Sequence, residues 1–236
     1  MSLAARLTPP RSRGTEFFDH PGADDALAVR SLVDIERSNL WFGGTSAVVA
    51  ELRPVFAAAA GRERILTLLD VGTGAGDIPQ RATATALRLG VRMTTIGLEL
   101  TPALAAWSLR RCDAAVVGNA LALPLADRCV DIVTCSQVLH HFDDDGARRV
   151  LCELQRVARL RVIVADIRRH WIAAGGVWLA SWILGFHPVS RHDGVTSVLR
   201  GYRASELRDV VHDATGTWPD THDRRGFRVT ASWSPA

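Results

Sequence analysis

The chain has 236 residues, 47% of them hydrophobic and 22% charged, with a formal net charge of +3 and a mean hydropathy of +0.08. This is room for one sizeable α/β domain with decorations, on the apolar side of the usual range. All 28 basic residues are arginine, which excludes a Walker phosphate loop, Schiff-base and pyridoxal chemistry and a protein kinase, each of which needs a lysine. No long basic run is present, so nucleic acid is not an expected partner.

In chain order, MSLAARLTPPRSRG lacks the continuous apolar core of a signal peptide, and residues 1–23 read as a loose tail. Residues 24–60 read as a helical cap: Leu27, Leu32 and Ile35, then Val48, Val49, Leu52, Val55 and Phe56, recur at helical spacing. The break between the two helices falls in Ser38–Ser46, where Trp41 and Phe42 precede Gly43-Gly44. That aromatic pair suits a staple between the helices.

Ile65–Val71 reads as a buried strand, followed by a GxGxG turn of Gly72, Gly74 and Gly76 and by a helix over about 78–89. Such a turn needs positive φ and offers bare backbone to a ligand. Asp70 stands at the carboxyl end of the strand, where ligands of open α/β sheets bind. Asp77, just after the last glycine, would repel a diphosphate and suits a cation such as a sulfonium or an ammonium. TTIGLEL, residues 94–100, reads as a second strand whose terminal Glu99 can accept both hydroxyls of a ribose. A helix over 102–111 follows, with Thr101 as cap and Pro102 in its first turn. A short third strand begins at Ala114 and is followed by Asn119; a fourth ends near Ser136 and runs into LHHF. Asp143 to Asp145 read as the capping, dipole-favoured start of a helix over 145–158 rather than as metal ligands. RVIVAD, residues 161–166, is a fifth strand.

Residues 167–202 form an insertion. Its Trp171–Phe186 stretch is uncharged, too short for a confident membrane span, and places Trp171, Trp178 and Trp182 on one helical face. It suits a lid over an apolar substrate, an interfacial membrane element or a buried extra helix. A helix capped by Ser205 and a final strand, Gly226–Trp233, close the chain. Cys112, Cys129, Cys135 and Cys152 form neither a CxxC pair nor a Cys/His cluster, and read as small core residues in a reducing, cytoplasmic protein. No metal is expected.

The Leu68–Pro79 segment resembles motif I of the class I S-adenosylmethionine (SAM)-dependent methyltransferases. The segments ending in Glu99, Asn119 and Ser136 resemble the following family segments in order and distance, over about residues 66–166. The resemblance implies a single domain over 24–236. Its fold is a Rossmann-like, seven-stranded, mostly parallel sheet with helices on both faces, an N-terminal helical cap and an apolar insertion after the fifth strand. It implies SAM as cofactor. Asp70, Gly72, Gly74 and Gly76 would hold its methionine end, Glu99 the ribose, and Leu100, Asn119 and Ala120 the adenine, with Ser136 and Gln137 near the methyl group. Aspartate is common in the family where this chain has Asn119, whose amide oxygen can still accept from the adenine amino group.

The resemblance is closest to bacterial enzymes that methylate quinone precursors, polyketide phenols and similar lipophilic compounds. The implied acceptor is a hydrophobic or aromatic small molecule, O-methylated at a phenol or enol, or C-methylated on an activated ring. Trp41, Phe42, His141, Trp178 and Trp182 are candidate acceptor contacts. His192, with His187 second, is the candidate general base; HPVSRHDG is more particular to this chain than LHHF. Peripheral membrane contact is an alternative for the insertion, and oligomeric state is not legible. The rival functions are a SAM-binding, non-catalytic regulatory or membrane-associated partner protein and a short-chain NAD-dependent oxidoreductase. The latter needs a Tyr-x-x-x-Lys pair that a chain without lysine cannot have.

Overall fold

The structure, a computed structural model, describes residues 7–20 and 24–235. Seven strands form one sheet: β1 (Ile65–Val71), β2 (Arg92–Glu99), β3 (Ala114–Val117), β4 (Val130–Ser136), β5 (Ala158–Ile167), β6 (Asp220–Arg224) and β7 (Arg228–Trp233), in the spatial order β3-β2-β1-β4-β5-β7-β6. β1 to β5 are parallel, and β7 runs antiparallel between β5 and β6. The central strands are apolar on both faces, as a sheet covered on both sides requires: Leu66, Leu68, Leu69 and Val71 of β1 and Ile132, Val133 and Cys135 of β4 are all buried. β2 and β4 flank β1 on opposite sides, so the chain reverses its direction of winding there. A crevice opens at the carboxyl ends of the strands at such a switch point.

Eight helices are described: α1 (Asp25–Trp41), α2 (Gly44–Ala59), α3 (Asp77–Arg88), α4 (Pro102–Ser108), α5 (Asp144–Val157), α6 (Trp171–Ile183), α7 (Pro188–Arg200) and α8 (Ala204–Thr215). Val150, Leu151 and Leu154 of α5 and Leu207 and Val211 of α8 bury against one side of the sheet. Val48, Leu52 and Phe56 of α2 and Ile78, Ala82 and Ala86 of α3 bury against the other. Thr101 caps α4 by accepting from the amide of Leu104 at 3.4 Å, and Asp143 caps α5 by accepting from Gly146 at 2.7 Å; both follow the sequence signals.

Several expectations need correction. The break between α1 and α2 is only Phe42-Gly43, because Gly43 takes φ +75° and turns the chain at once. The first residue of β5 is Ala158, directly after α5, so the strand is longer at its start than its apolar pattern suggests. Ser205 lies inside the first turn of α8; Arg203 is the N-cap, and the Glu206 carboxylate accepts from its backbone amide at 2.9 Å. Cys112 and Cys135 are buried, but Cys129 is half-buried and Cys152 exposed.

Residues 7–20, read from sequence as part of a loose tail, lie against the domain as a strap. The Trp171 amide donates to the Leu7 carbonyl at 3.0 Å and the Ser12 amide to the Leu199 carbonyl at 2.9 Å. The buried Arg169 guanidinium donates to the Pro9 carbonyl at 2.8 Å. These partners all belong to the insertion, which a reading of local pattern cannot connect to the first residues of the chain.

The insertion itself is the helix pair α6–α7. α6 faces inward with small residues, Ala173, Ala174 and Ser181, and outward with Trp171, Ile172, Trp178, Leu179, Trp182 and Ile183, all exposed. The reading as a buried helix is therefore not met by its tryptophan face. Among the described residues no helix is long and apolar enough to cross a membrane.

Candidate active site

Three alternating glycines shape the floor of the crevice. Gly72, Gly74 and Gly76 have φ of +68°, +55° and +73°, a path closed to ordinary side chains. A Cβ on Gly72 would also collide with Val138, so β1 can meet the loop after β4 only through bare backbone. The Gly72 amide donates to the Leu98 carbonyl at 2.9 Å, and the Gly74 amide donates to the Glu99 carboxylate. The glycine turn and the tip of β2 are thereby fixed to each other.

The acidic groups around this turn are held in unusual states. Asp70 accepts from Thr134 Oγ1 at 2.6 Å through one oxygen, while its other oxygen is buried without a partner among the described residues. Burial pushes its carboxyl up to about 7, with help from the nearby charges of Asp77 and Glu99. Burial raises Glu99 to about 6, against the Gly74 amide, which favours the charged form. Burial also raises Asp77, which accepts from Thr45 at 2.5 Å and from Asn39 at 3.4 Å. Three carboxyls short of positive partners around a glycine turn make a receptor for a cationic, hydroxyl-rich ligand. Ser136 Oγ is likewise buried and unpartnered.

A cavity of about 910 Å³ opens above this floor. Of the residues singled out in the sequence, Gly72, Glu99, Leu100, Asn119, Ala120 and His141 line it. Asp70 and Ser136 lie buried at the strand tips. Asn119 Oδ1 accepts from the Leu121 amide at 2.9 Å, which fixes the side chain as a turn and leaves the oxygen's second lone pair for a ligand donor. Gln137, at φ +57°, is held between Asn39 and Arg228. Arg228 also donates to the Phe42 carbonyl at 3.0 Å, so Phe42 ties the helix break to the tip of β4 through its backbone.

Other candidates lie apart from the cavity. Trp41, Trp178 and Trp182 are more than half exposed and do not line it. His187 is the N-cap of α7, where its Nδ1 accepts from the Val189 amide at 3.3 Å. His192 stands on α7 with its side chain 67% exposed, 2.9 Å from Asp193. Neither histidine lines the cavity.

Of the wall opposite the glycine turn, local sequence pattern points only to His141. Arg11 to Thr15 and Asp19 of the strap form it with His140, His141 and Arg200. His140 is buried, with Nδ1 2.6 Å from Asp166 at the end of β5. Burial alone would lower it, but Asp166 and Glu16 outweigh that and raise it to about 9. His141, half-buried, has Nδ1 2.7 Å from Asp19. The available signal was LHHF together with the aspartate ending the fifth strand; the strap's carboxylates could not be foreseen.

A seven-stranded sheet of this order, with a glycine turn after β1 and an acid ending β2, defines a class I SAM-dependent methyltransferase fold. Residues 69–165 match the family of the methyltransferase domain. An uncharacterized methyltransferase of Mycolicibacterium vanbaalenii is 31% identical over 170 residues, 70% of this chain and 58% of the relative. The chain thus spans little more than half the length of that curated relative. A SAM-dependent methyltransferase from Aquifex aeolicus has a similar structure, with TM-score 0.60 and 16% identity over 88% of this chain and 98% of that one. So does magnesium protoporphyrin IX methyltransferase from Synechocystis PCC 6803 with bound SAH, with TM-score 0.54 and 15% identity over 83% of each chain. SAM fits the residues present: the unpartnered Asp70 oxygen, the bare glycine backbone and Glu99 suit its cationic methionine end and its ribose.

Proposed function

We propose that the chain transfers the methyl group of SAM to a hydrophobic or aromatic small molecule, first at a phenol or enol oxygen and, as second choice, at a carbon of an activated ring. When bound, SAM supplies the activated methyl group. The chain's own tasks are to orient, exclude water and take a proton. Glu99 and the Gly72–Gly76 backbone fix the cofactor end of the cavity, and the strap closes its far wall.

The observation that carries the reading is that an imidazole oriented by a carboxylate, His141 on Asp19, lines the same cavity as Glu99 and Gly72. Such a pair suits removal of a hydroxyl proton. Position favours it over His192 and His187. The lipophilic acceptor class is supported by α6, whose outward face is apolar throughout. That face suits an amphiphile or the lipid surface that carries one, and peripheral membrane contact is part of the proposal.

Incubation of protein and labelled SAM with bacterial extract tests it. A labelled, organic-soluble product heavier by one CH₂ is the expected result; SAM binding without any methylated product would favour a non-catalytic partner protein.

A further inference from the structure

We propose that Glu16, His140 and His141 form a binding site for a divalent transition-metal ion, which fastens the N-terminal strap to the core. One ligand atom from each of the three residues lies within 4.8 Å of the others. Both Nδ1 atoms are taken up by carboxylates: Asp166 at 2.6 Å from His140 and Asp19 at 2.7 Å from His141. In the neutral imidazoles that arrangement places the proton on Nδ1 and leaves each Nε2 lone pair for an ion. Carboxylates on the distal nitrogen are the usual supports of metal-ligating histidines. His140 Nε2 is buried without a hydrogen-bond partner among the described residues. It lies 3.5 Å from Glu16 Oε1, while His141 Nε2 lies 3.9 Å from Glu16 Oε2. The first is at the outer limit of a hydrogen bond and the second beyond it. Ligand atoms about 2.1 Å from a common ion stand roughly 3–3.4 Å apart, so a small inward movement would complete the set. Ser197 Oγ donates to Glu16 Oε1 at 2.8 Å and holds the carboxylate in place.

Charge balance points the same way. Glu16, Asp19 and Asp166 bring three negative charges into a poorly hydrated wall. Arg200, bonded to Asp19 and 3.7 Å from Glu16, supplies one positive charge. The wall thus keeps an excess of acidic groups beside the two imidazoles, surroundings that favour a bound cation. Two imidazoles and one carboxylate suit Zn²⁺, Fe²⁺, Co²⁺ or Ni²⁺ rather than Mg²⁺ or Ca²⁺. The donors are one strap residue and two residues of the turn after β4, so the ion would link segments that sequence distance separates. In the loaded form His141 is a ligand rather than a free base, so the proton-removing role proposed above belongs to the metal-free form. The proposal is independent of the acceptor's identity.

The test is titration of chelator-stripped protein at pH 7 with Zn²⁺, and with Co²⁺ read by its visible absorption. Expected are one equivalent bound, at least tenfold weaker binding in both Glu16→Gln and His141→Ala, and 10–100-fold weaker binding in Asp166→Asn. Zn²⁺ should also slow tryptic cleavage after Arg13 on the strap. His141 is half-exposed, so its replacement is compatible with folding, which circular dichroism and SAM affinity check. No saturable binding to the wild-type chain would overturn the proposal. So would unchanged binding in folded Glu16→Gln and His141→Ala proteins. Either result would leave the methyl-transfer reading untouched.

Discussion

At the scale of single residues, Asp70 and Glu99 in their proposed roles should couple SAM binding to protons. Their pKa values of about 7 and 6 in the protein exceed the ordinary carboxylate values. A carboxyl raised in the folded state is neutral-to-favourable at low pH and destabilises progressively as pH rises from its unfolded to its folded pKa. For Asp70 that window is about pH 4 to 7, and the accumulated cost is roughly 4 kcal/mol. Asp70→Asn should therefore raise the melting temperature of the ligand-free protein at pH 8 but not at pH 4, while weakening SAM. A cation binding here favours the ionised carboxyls, so SAM affinity should rise between pH 5.5 and 7.5, with protons released in calorimetry; a flat profile would remove Asp70 and Glu99 from the pocket. Glu99→Ala should weaken SAM by about 10- to 100-fold, the value of a charge-assisted hydrogen bond or so, and affinity equal to wild type would make Glu99 only a strand end. Asn119→Asp preserves the acceptor that Leu121 uses and should leave SAM affinity within a few-fold.

At the scale of elements, α2 is fastened to the terminal hairpin by one buried carboxylate. Glu51 accepts from Thr230 at 2.5 Å, Arg224 at 2.6 Å and Ser232 at 3.0 Å, with His222 at 3.1 Å. Burial raises its pKa, but Arg224 and the two hydroxyls outweigh burial and lower it. The stability it adds is therefore complete above the ordinary glutamate range and lost as pH falls below it. Glu51→Ala should cost about 1–3 kcal/mol in chemical denaturation at pH 7, as leaving buried hydroxyls without their acceptor does, with a smaller difference at pH 3. The insertion makes a different prediction. Trp178→Ala with Trp182→Ala should reduce acceptor turnover or vesicle binding while SAM affinity and folding persist, because neither ring is part of the buried core. Loss of folding would show instead that α6 holds the domain together.

At the scale of the whole molecule, saturating SAM should stabilise the fold. At a hundred times its dissociation constant it adds about 2.7 kcal/mol, or roughly 5–10 °C in melting temperature for a domain of this size; NAD at the same concentration should do nothing. The sheet order and the glycine floor of the crevice were legible because they rest on local pattern: an apolar run, a glycine turn and an acid at a strand tip recur within a few residues. The far wall was not legible. Glu16, Asp19, His141 and Arg200 meet only through tertiary packing, and their burial comes from the strap lying on α7. The exposure of Trp178 and Trp182 was equally hidden, since periodicity locates a helical face without saying which way it turns.

That outward face of α6 also sets how the protein behaves as a solute. Arg191 lies 3.9 Å over the Trp182 ring and Arg37 5.6 Å from the Phe186 ring, and neither has a carboxylate partner among the described residues. Charge repulsion between these rims should hold two apolar faces apart in dilute buffer, and it fades once the screening length shrinks to a few ångströms. Sulfate adds to this by strengthening apolar association. Retention on a phenyl column and self-association should therefore climb together with ammonium sulfate, and chaotropic anions should reverse both.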